Sequence, residues 1–231
     1  MIKTCKLAAE SSLLQVYLLP GTNDRSNSYL IAAAEGAYLI DPSVTPDMWG
    51  AYASKVRMIF ATHGHYDHIR ECDNWRAVYP TVPLCIEKDE AEHMQHAVTN
   101  VSTLFGCEAE FAAPDRLLEP NEVVELEKGI ELTVLHTPGH TPGSSCYLLK
   151  TVEEGPLCLF TGDTLFSGSV GRVDFPGGNA MMMKSTIDYM CSLAAVLHLP
   201  EKFPVYPGHG ACTDLDYECR YNLFLNGTLH I

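Results

Sequence analysis

The chain has 231 residues, 46% hydrophobic and 19% charged, values that exclude a disordered tail protein, a collagen-like repeat and a coiled coil. Asp and Glu number 29 against 15 Lys and Arg, a formal charge of -14, and no basic run is available to grip phosphates, so neither a nucleic acid nor an anionic membrane surface is an expected partner. No apolar stretch approaches the roughly 20 residues of a membrane span, and the protein is expected to be cytoplasmic. In chain order, short β-type runs fall at 13–19, 28–33, 37–41 and 58–61, most of them ending near Gly, Pro, Asp or Asn. Helical patterns follow at 45–53, 69–78 and 88–98, with a strand at 82–86 between the last two. The second half opens with strands at 129–135, 146–150 and 157–161. A helix at about 181–197, a strand at 203–206 and a short helical tail complete it. Strands grouped in each half, with helices between them, predict two packed sheets covered by helices in one domain spanning 1–231.

Nine cysteines stand singly, from Cys5 to Cys219, with no Cys-x-x-Cys pair, and read as reduced thiols used as small core residues. Lys3 and Lys6 are followed by Glu10 and by no small-residue cleavage site, so no signal peptide is expected. Trp49, Trp75 and the Met181-Met182-Met183 run are read as packing residues. His93 and His96 share a predicted helix and are assigned to its solvated face.

The histidines carry the chemistry. His63, His65 and His68 follow the strand at 58–61 in the run Thr62-His63-Gly64-His65-Tyr66-Asp67-His68, which packs three imidazoles and a carboxylate into six residues. A tight turn eased by Gly64 lets them converge in two pairs on neighbouring metal ions, whereas a regular strand or helix would splay them apart. His140 sits between two Pro-Gly pairs after the strand at 129–135 and is the ligand expected there, with His136 beside it read as structural. Asp163 follows a strand and a glycine, where its carboxylate can bridge two ions. His209 lies in the turn Pro207-Gly208-His209-Gly210.

The ordered series His-x-His-x-Asp-His at 63–68, then His140, Asp163 and His209, resembles the metallo-β-lactamase superfamily. Around Asp163 the chain is similar to its glyoxalase II branch, the hydroxyacylglutathione hydrolases, through the run 162–166 and the later 171–175. The resemblance implies an α/β fold, a four-layer αββα sandwich with the metal site along the edge between the sheets. It implies one metal held by His63, His65 and His140, a second by Asp67, His68 and His209, and Asp163 bridging them. Two divalent ions are expected, zinc first, with iron or manganese as alternatives. The implied activity is metal-dependent hydrolysis of a small thioester by a metal-bridging hydroxide, oriented by Asp67 as the catalytic carboxylate. Only 22 residues follow His209, so the helical domain that carries glutathione contacts in longer relatives is not expected. Arg172 and Tyr66 are the candidates for holding substrate; the competing readings are that Arg172 braces its loop through Asp174 and that Tyr66 only packs. The alternative activity is an iron-dependent persulfide dioxygenase of the same fold, whose ligands would correspond to His63, His140 and Asp163.

Overall fold

A computed structural model describes residues 5–231, and side chains from residue 11 onward. The thiol of Cys5 and the charges of Lys3 and Lys6 therefore lie outside the described residues. Strands β1 (Cys5–Glu10), β2 (Leu14–Leu19), β3 (Ser28–Ala33), β4 (Ala37–Ile40), β5 (Val56–Phe60), β6 (Leu84–Glu87) and β7 (Arg116–Leu118) form one sheet in sequence order. Its first four strands meander antiparallel, and β4 to β7 run parallel. Parallel pairs need crossovers, and these carry the short helices α1 (Tyr66–Ile69), α2 (Cys72–Val78) and α3 (Ala91–Gln95).

The second sheet is built from β8 (Val123–Glu127), β9 (Ile130–His136), β10 (Ser145–Thr151) and β11 (Gly155–Gly162). After a small hairpin of β12 (Leu165–Phe166) and β13 (Ser169–Val170), helix α4 (Ala180–Val196) crosses its outer face. Strands β14 (Pro204–Pro207) and β15 (Thr213–Asp214) then complete the order β15-β14-β11-β10-β9-β8, and helix α5 (Leu215–Tyr221) follows.

Strand alternation sorts the apolar residues into three layers. Tyr29 and Ile31 of β3 and Phe60 of β5 meet Leu132, Tyr147 and Phe160 between the sheets. Leu30, Leu39 and Ile59 point the other way and are covered by Trp49 and Trp75. Leu148, Leu159 and Val205 pack beneath Met183, Ile187 and Met190 of α4. Both sheets are thus buried on both faces, which is the expected four-layer α/β sandwich. The Met run divides: Met183 is buried, whereas Met181 and Met182 are exposed. Cys72, Cys85, Cys107, Cys146, Cys158, Cys191 and Cys219 are free thiols, and no helix of the described residues is long and apolar enough to cross a membrane.

Strands β4, β5, β9, β11 and β14 all deliver a functional turn at their C-terminal ends, along one edge where the sheets meet. Hydrogen bonds across the sandwich fix that edge. Tyr147 Oη donates to the Ala61 carbonyl at 2.6 Å, Tyr29 Oη to the Pro207 carbonyl at 2.6 Å, and the Asn27 amide to the Gly208 carbonyl at 2.7 Å. Loops positioned by paired strands in this way hold polar side chains in place while leaving them open to a ligand.

Candidate metal centre

Beyond β5 the chain turns at Thr62, whose amide donates to Asp41 Oδ1 at 2.7 Å. Gly64 is required at the centre of the turn, because a Cβ there would stand 2.9 Å from the Met94 amide nitrogen and 3.0 Å from Glu90 Oε2. His65 then leads into α1, which carries Asp67 and His68 in a single turn. Glu90, fully buried, ties this turn to the one bearing His140: its two oxygens accept from the amides of Gly64 and Gly143, each at 2.8 Å. The His140 turn rests in addition on α4. Asn179 donates its amide to the Gly139 carbonyl at 2.8 Å while its side chain caps the helix at Met182.

Three imidazoles have their tautomers set from behind. The Thr62 hydroxyl donates to Asp41 Oδ2 at 2.9 Å and so accepts from His63 Nδ1 at 3.2 Å. His68 Nδ1 donates to Asp41 Oδ2 at 2.8 Å, and His140 Nδ1 to the Arg172 carbonyl at 2.7 Å. With Nδ1 committed in this way, each ring directs its Nε2 inward, where its neutral form offers the lone pair that a metal ligand needs. His63 Nε2 is buried and has no hydrogen-bond partner. The Nε2 of His140 faces His65 Nδ1 at 2.9 Å.

Donor atoms of His63, His65 and His140 cluster within 4.8 Å of one another, as do those of Asp67, His68 and His209. Asp163 lies between the two groups. Its Oδ1 is 3.0 Å from His68 Nε2 and 3.7 Å from His209 Nε2, and its Oδ2 is 3.5 Å from His140 Nε2. Asp67 Oδ2 is 2.9 Å from His209 Nε2.

The electrostatics separate the two halves. Burial holds His63 and His65 well below the usual histidine range, with the neighbouring imidazoles, His68 for one and His140 for the other, adding to it. These are neutral donors, ready for a cation. Burial also opposes charge on His68 and His209, but Asp163 and its neighbouring carboxylates outweigh it and raise both. Burial pushes Asp163 and Asp67 up, and the adjacent imidazoles overcome it and leave both carboxyls lowered. The second cluster demands positive charge, and the first presents unpartnered buried lone pairs, so the residues fit a pair of divalent cations.

All seven residues named from the sequence as ligands meet at this edge. Arg172 lines the cavity above them, but its guanidinium grips Asp174 with two bonds at 2.6 and 2.5 Å and lies over the Phe175 ring at 4.0 Å. Tyr66 packs against Phe105 and Phe111, outside the lining of that cavity. His136 Nε2 donates to the Pro142 carbonyl at 2.9 Å, in keeping with a structural role. His93 departs from its expected solvated face: its Nε2 is buried, and it packs under Gly177, while His96 is exposed as expected. Asp41 and Glu90 escaped sequence reasoning. Asp41 stands before a proline and looks like a strand-ending turn, and its positive φ of 55° is visible only in the structure.

Two helix-covered sheets with a His and Asp cluster on their common edge follow the plan of a metallo-hydrolase. The chain belongs to the metallo-beta-lactamase superfamily, whose family model matches residues 21–209. It is 32% identical over 209 residues to the probable metallo-hydrolase YqgX of Bacillus subtilis, spanning 88% of this chain and 93% of that protein. It is 28% identical over 220 residues to the hydroxyacylglutathione hydrolase GloC of Haemophilus influenzae, spanning 92% and 99%. Among solved structures it resembles the BLEG-1 B3 metallo-beta-lactamase, with TM-score 0.77, 29% identity and coverage of 92% and 100%. It also resembles TTHA1623 in a di-iron-bound form, with TM-score 0.72, 29% identity and coverage of 90% and 98%.

Proposed function

We propose that the protein is a dinuclear metal-dependent thioester hydrolase of glyoxalase II type, acting on hydroxyacylglutathione-like or other small thioesters. The observation that carries this reading is the placement of Asp163, whose two oxygens face the two donor clusters separately, as a bridging carboxylate requires. The likeness to GloC over nearly the full length of both chains supports the thioester substrate.

In this reading His63, His65 and His140 would hold one cation and Asp67, His68 and His209 the other, with Asp163 placed to serve both. Cations so held supply Lewis acidity and make water acidic enough to act as a nucleophile near neutral pH. Zinc suits the His and Asp donors, and iron suits them as well, as the di-iron form of a similar protein illustrates. Asp67 faces the cavity and is kept ionised by His68 and His209, so it orients the attacking water and receives its proton. Water adds to the carbonyl carbon, the C–S bond breaks, and the proton leaves with the thiolate, giving a carboxylic acid and a free thiol. The buried free thiols of Cys72, Cys85, Cys146 and Cys158 accord with a reducing, cytoplasmic setting for this chemistry.

The test is metal analysis coupled to turnover of a thioester panel that includes S-lactoylglutathione. Two metals per chain with thioester hydrolysis, reduced at least about 100-fold by Asp163→Ala, is the expected result. Oxygen consumption with glutathione persulfide at one iron per chain, and no thioester turnover, would replace the hydrolase with the dioxygenase.

A further inference from the structure

We infer that the substrate is a thioester with an apolar acyl arm and an uncharged thiol arm next to the sulfur, an inference that rests on the thioester hydrolase reading above. The cavity over the metal cluster has a volume of about 520 Å³, within the roughly 300–1,000 Å³ of small-molecule sites. Its floor is polar, and its walls are not. One chain segment contributes Val101, Leu104 and Phe105, and another contributes Phe166, Val170 and Phe175.

The first wall is a built feature of the fold. Val101 is a β-branched residue held at φ 57°, a left-handed conformation that only a well-braced backbone keeps. The brace is Asn100. Its Oδ1 accepts from the Ser102 amide at 2.9 Å, and its Nδ2 donates to the carbonyls of Met94 and Ala109 at 3.0 and 2.8 Å. Its own carbonyl accepts from the amide of Tyr66 at 2.7 Å, the first residue of the helix that carries Asp67 and His68. The wall is therefore registered to the metal turn. At its rim Leu104 and Phe105 remain 65% and 40% exposed, apolar area that an acyl chain would cover.

The charges point the same way. Among the described residues Arg172 is the one Lys or Arg side chain in the lining, and the Nε and Nη2 edge of its guanidinium is taken by Asp174, whose carboxylate offsets its charge. A glutathione thioester brings two carboxylates and a net negative charge to a chain of formal charge -14, and among the described residues of these walls its carboxylates meet no Lys or Arg that is not already paired with an acid. Asp174 thus acts against anionic thiol carriers by occupying the cation they would need.

The experiment compares acetyl, butanoyl and hexanoyl thioesters of N-acetylcysteamine with the same acyl groups on glutathione, using metal-loaded protein. Expected is a rise in kcat/KM of at least tenfold from acetyl to hexanoyl, the ceiling being about fourfold per buried methylene. N-acetylcysteamine esters should match or exceed their glutathione counterparts. Leu104→Ser should cut the hexanoyl-to-acetyl ratio at least threefold, and Asp174→Asn, by freeing Arg172, should shift preference toward the glutathione esters. Calorimetry with the non-hydrolysable S-hexyl and S-ethyl thioethers of N-acetylcysteamine should show the hexyl compound binding at least tenfold tighter. Turnover with a flat acyl series, or a tenfold preference of the unmodified protein for glutathione esters, overturns this inference and leaves the hydrolase standing. Turnover of no thioester in either series, with two metals bound, overturns the hydrolase reading and the inference together.

Discussion

At the scale of single residues, the proposed ligands are positioned by groups outside the donor clusters, and Asp41 is the clearest of these. It accepts from His68 Nδ1, from the Thr62 hydroxyl and from the Thr62 amide, and it is almost wholly buried. Replacing it by Asn keeps the shape but permits an amide nitrogen to face His68 Nδ1, which favours the tautomer protonated at Nε2, the ligand atom. Asp41→Asn should weaken metal binding about 10- to 100-fold at the position formed with Asp67 and His209, while the His63, His65 and His140 position holds its ion. Metal titration against a competing chelator resolves the two affinities, and two unaltered sites in the variant would remove Asp41 from the machinery. The seven ligands were legible because histidines massed in turns after apolar strands have few structural uses. Asp41 and Glu90 were not. A carboxylate before proline reads as a turn former, and one in the charged run 88–92 reads as solvated helix, since nothing local reveals that it will be buried between two amides.

At the scale of elements, α4 acts as a buttress for the His140 turn. Thr186 Oγ1 donates to the Pro138 carbonyl at 2.6 Å, the Asn179 amide donates to the Gly139 carbonyl, and Gly139 has φ 139°. A Cβ on Gly139 would lie 2.5 Å from the Cα and amide nitrogen of Met183, which the helix cannot move without leaving the sheet. Gly139→Ala should therefore cost about 2–5 kcal/mol, combining backbone strain with overpacking. Thermal unfolding reads the stability, and metal content reads whether His140 is displaced with the helix. Full metal content in a strongly destabilised variant would show that the helix and the ligand turn are independent. The same helix was read from sequence to within a residue at each end, as were β9, β10 and most of β11, because long apolar periodicity is enforced by burial. Shorter patterns failed for identifiable reasons. The helix expected at 45–53 is a pair of 3-10 turns broken at Gly50, with φ 55°. The helix expected at 88–98 ends at Gln95, where the Asn100 side chain takes the Met94 carbonyl of its last turn. The helix expected at 69–78 splits between α1 and α2, since the metal turn, not apolar periodicity, sets where α1 starts. Strand β8 was overlooked although Val124 and Leu126 alternate inward along it, and the three-residue β7 is too short to show a period.

At the scale of the whole molecule, the ligands come from both sheets. His63, His65, Asp67 and His68 follow β5 of the first, and His140, Asp163 and His209 follow β9, β11 and β14 of the second, so cations held there would cross-link the two halves of the sandwich. The pattern of strands and helices predicts only two covered sheets, and the shared edge is implied by the family resemblance alone, because it depends on pairings distant in the chain, such as β11 with β14. The cross-link is not all that joins them. The apolar layer between the sheets and the bonds from Tyr147 and Tyr29 persist whether or not metal is bound. Chelation is accordingly expected to leave the fold in place and lower its stability, unlike a small zinc domain that unfolds when stripped. An ion that binds only the native chain adds about 4 kcal/mol when its free concentration is about 1,000 times Kd, which for a chain of this length is on the order of 10 °C in Tm per ion. The two divalent ions of the proposed centre would also bring four positive charges to a chain of formal charge -14, relieving repulsion among Asp41, Asp67 and Asp163 at the edge. Calorimetric scans of protein treated with chelator, and then given back zinc in steps, should show Tm climbing with zinc while the far-ultraviolet dichroism stays constant. A Tm indifferent to chelator would mean that the cluster holds no stabilising ion; loss of the dichroism on chelation would mean that the metal, and not the apolar layer, holds the sheets together.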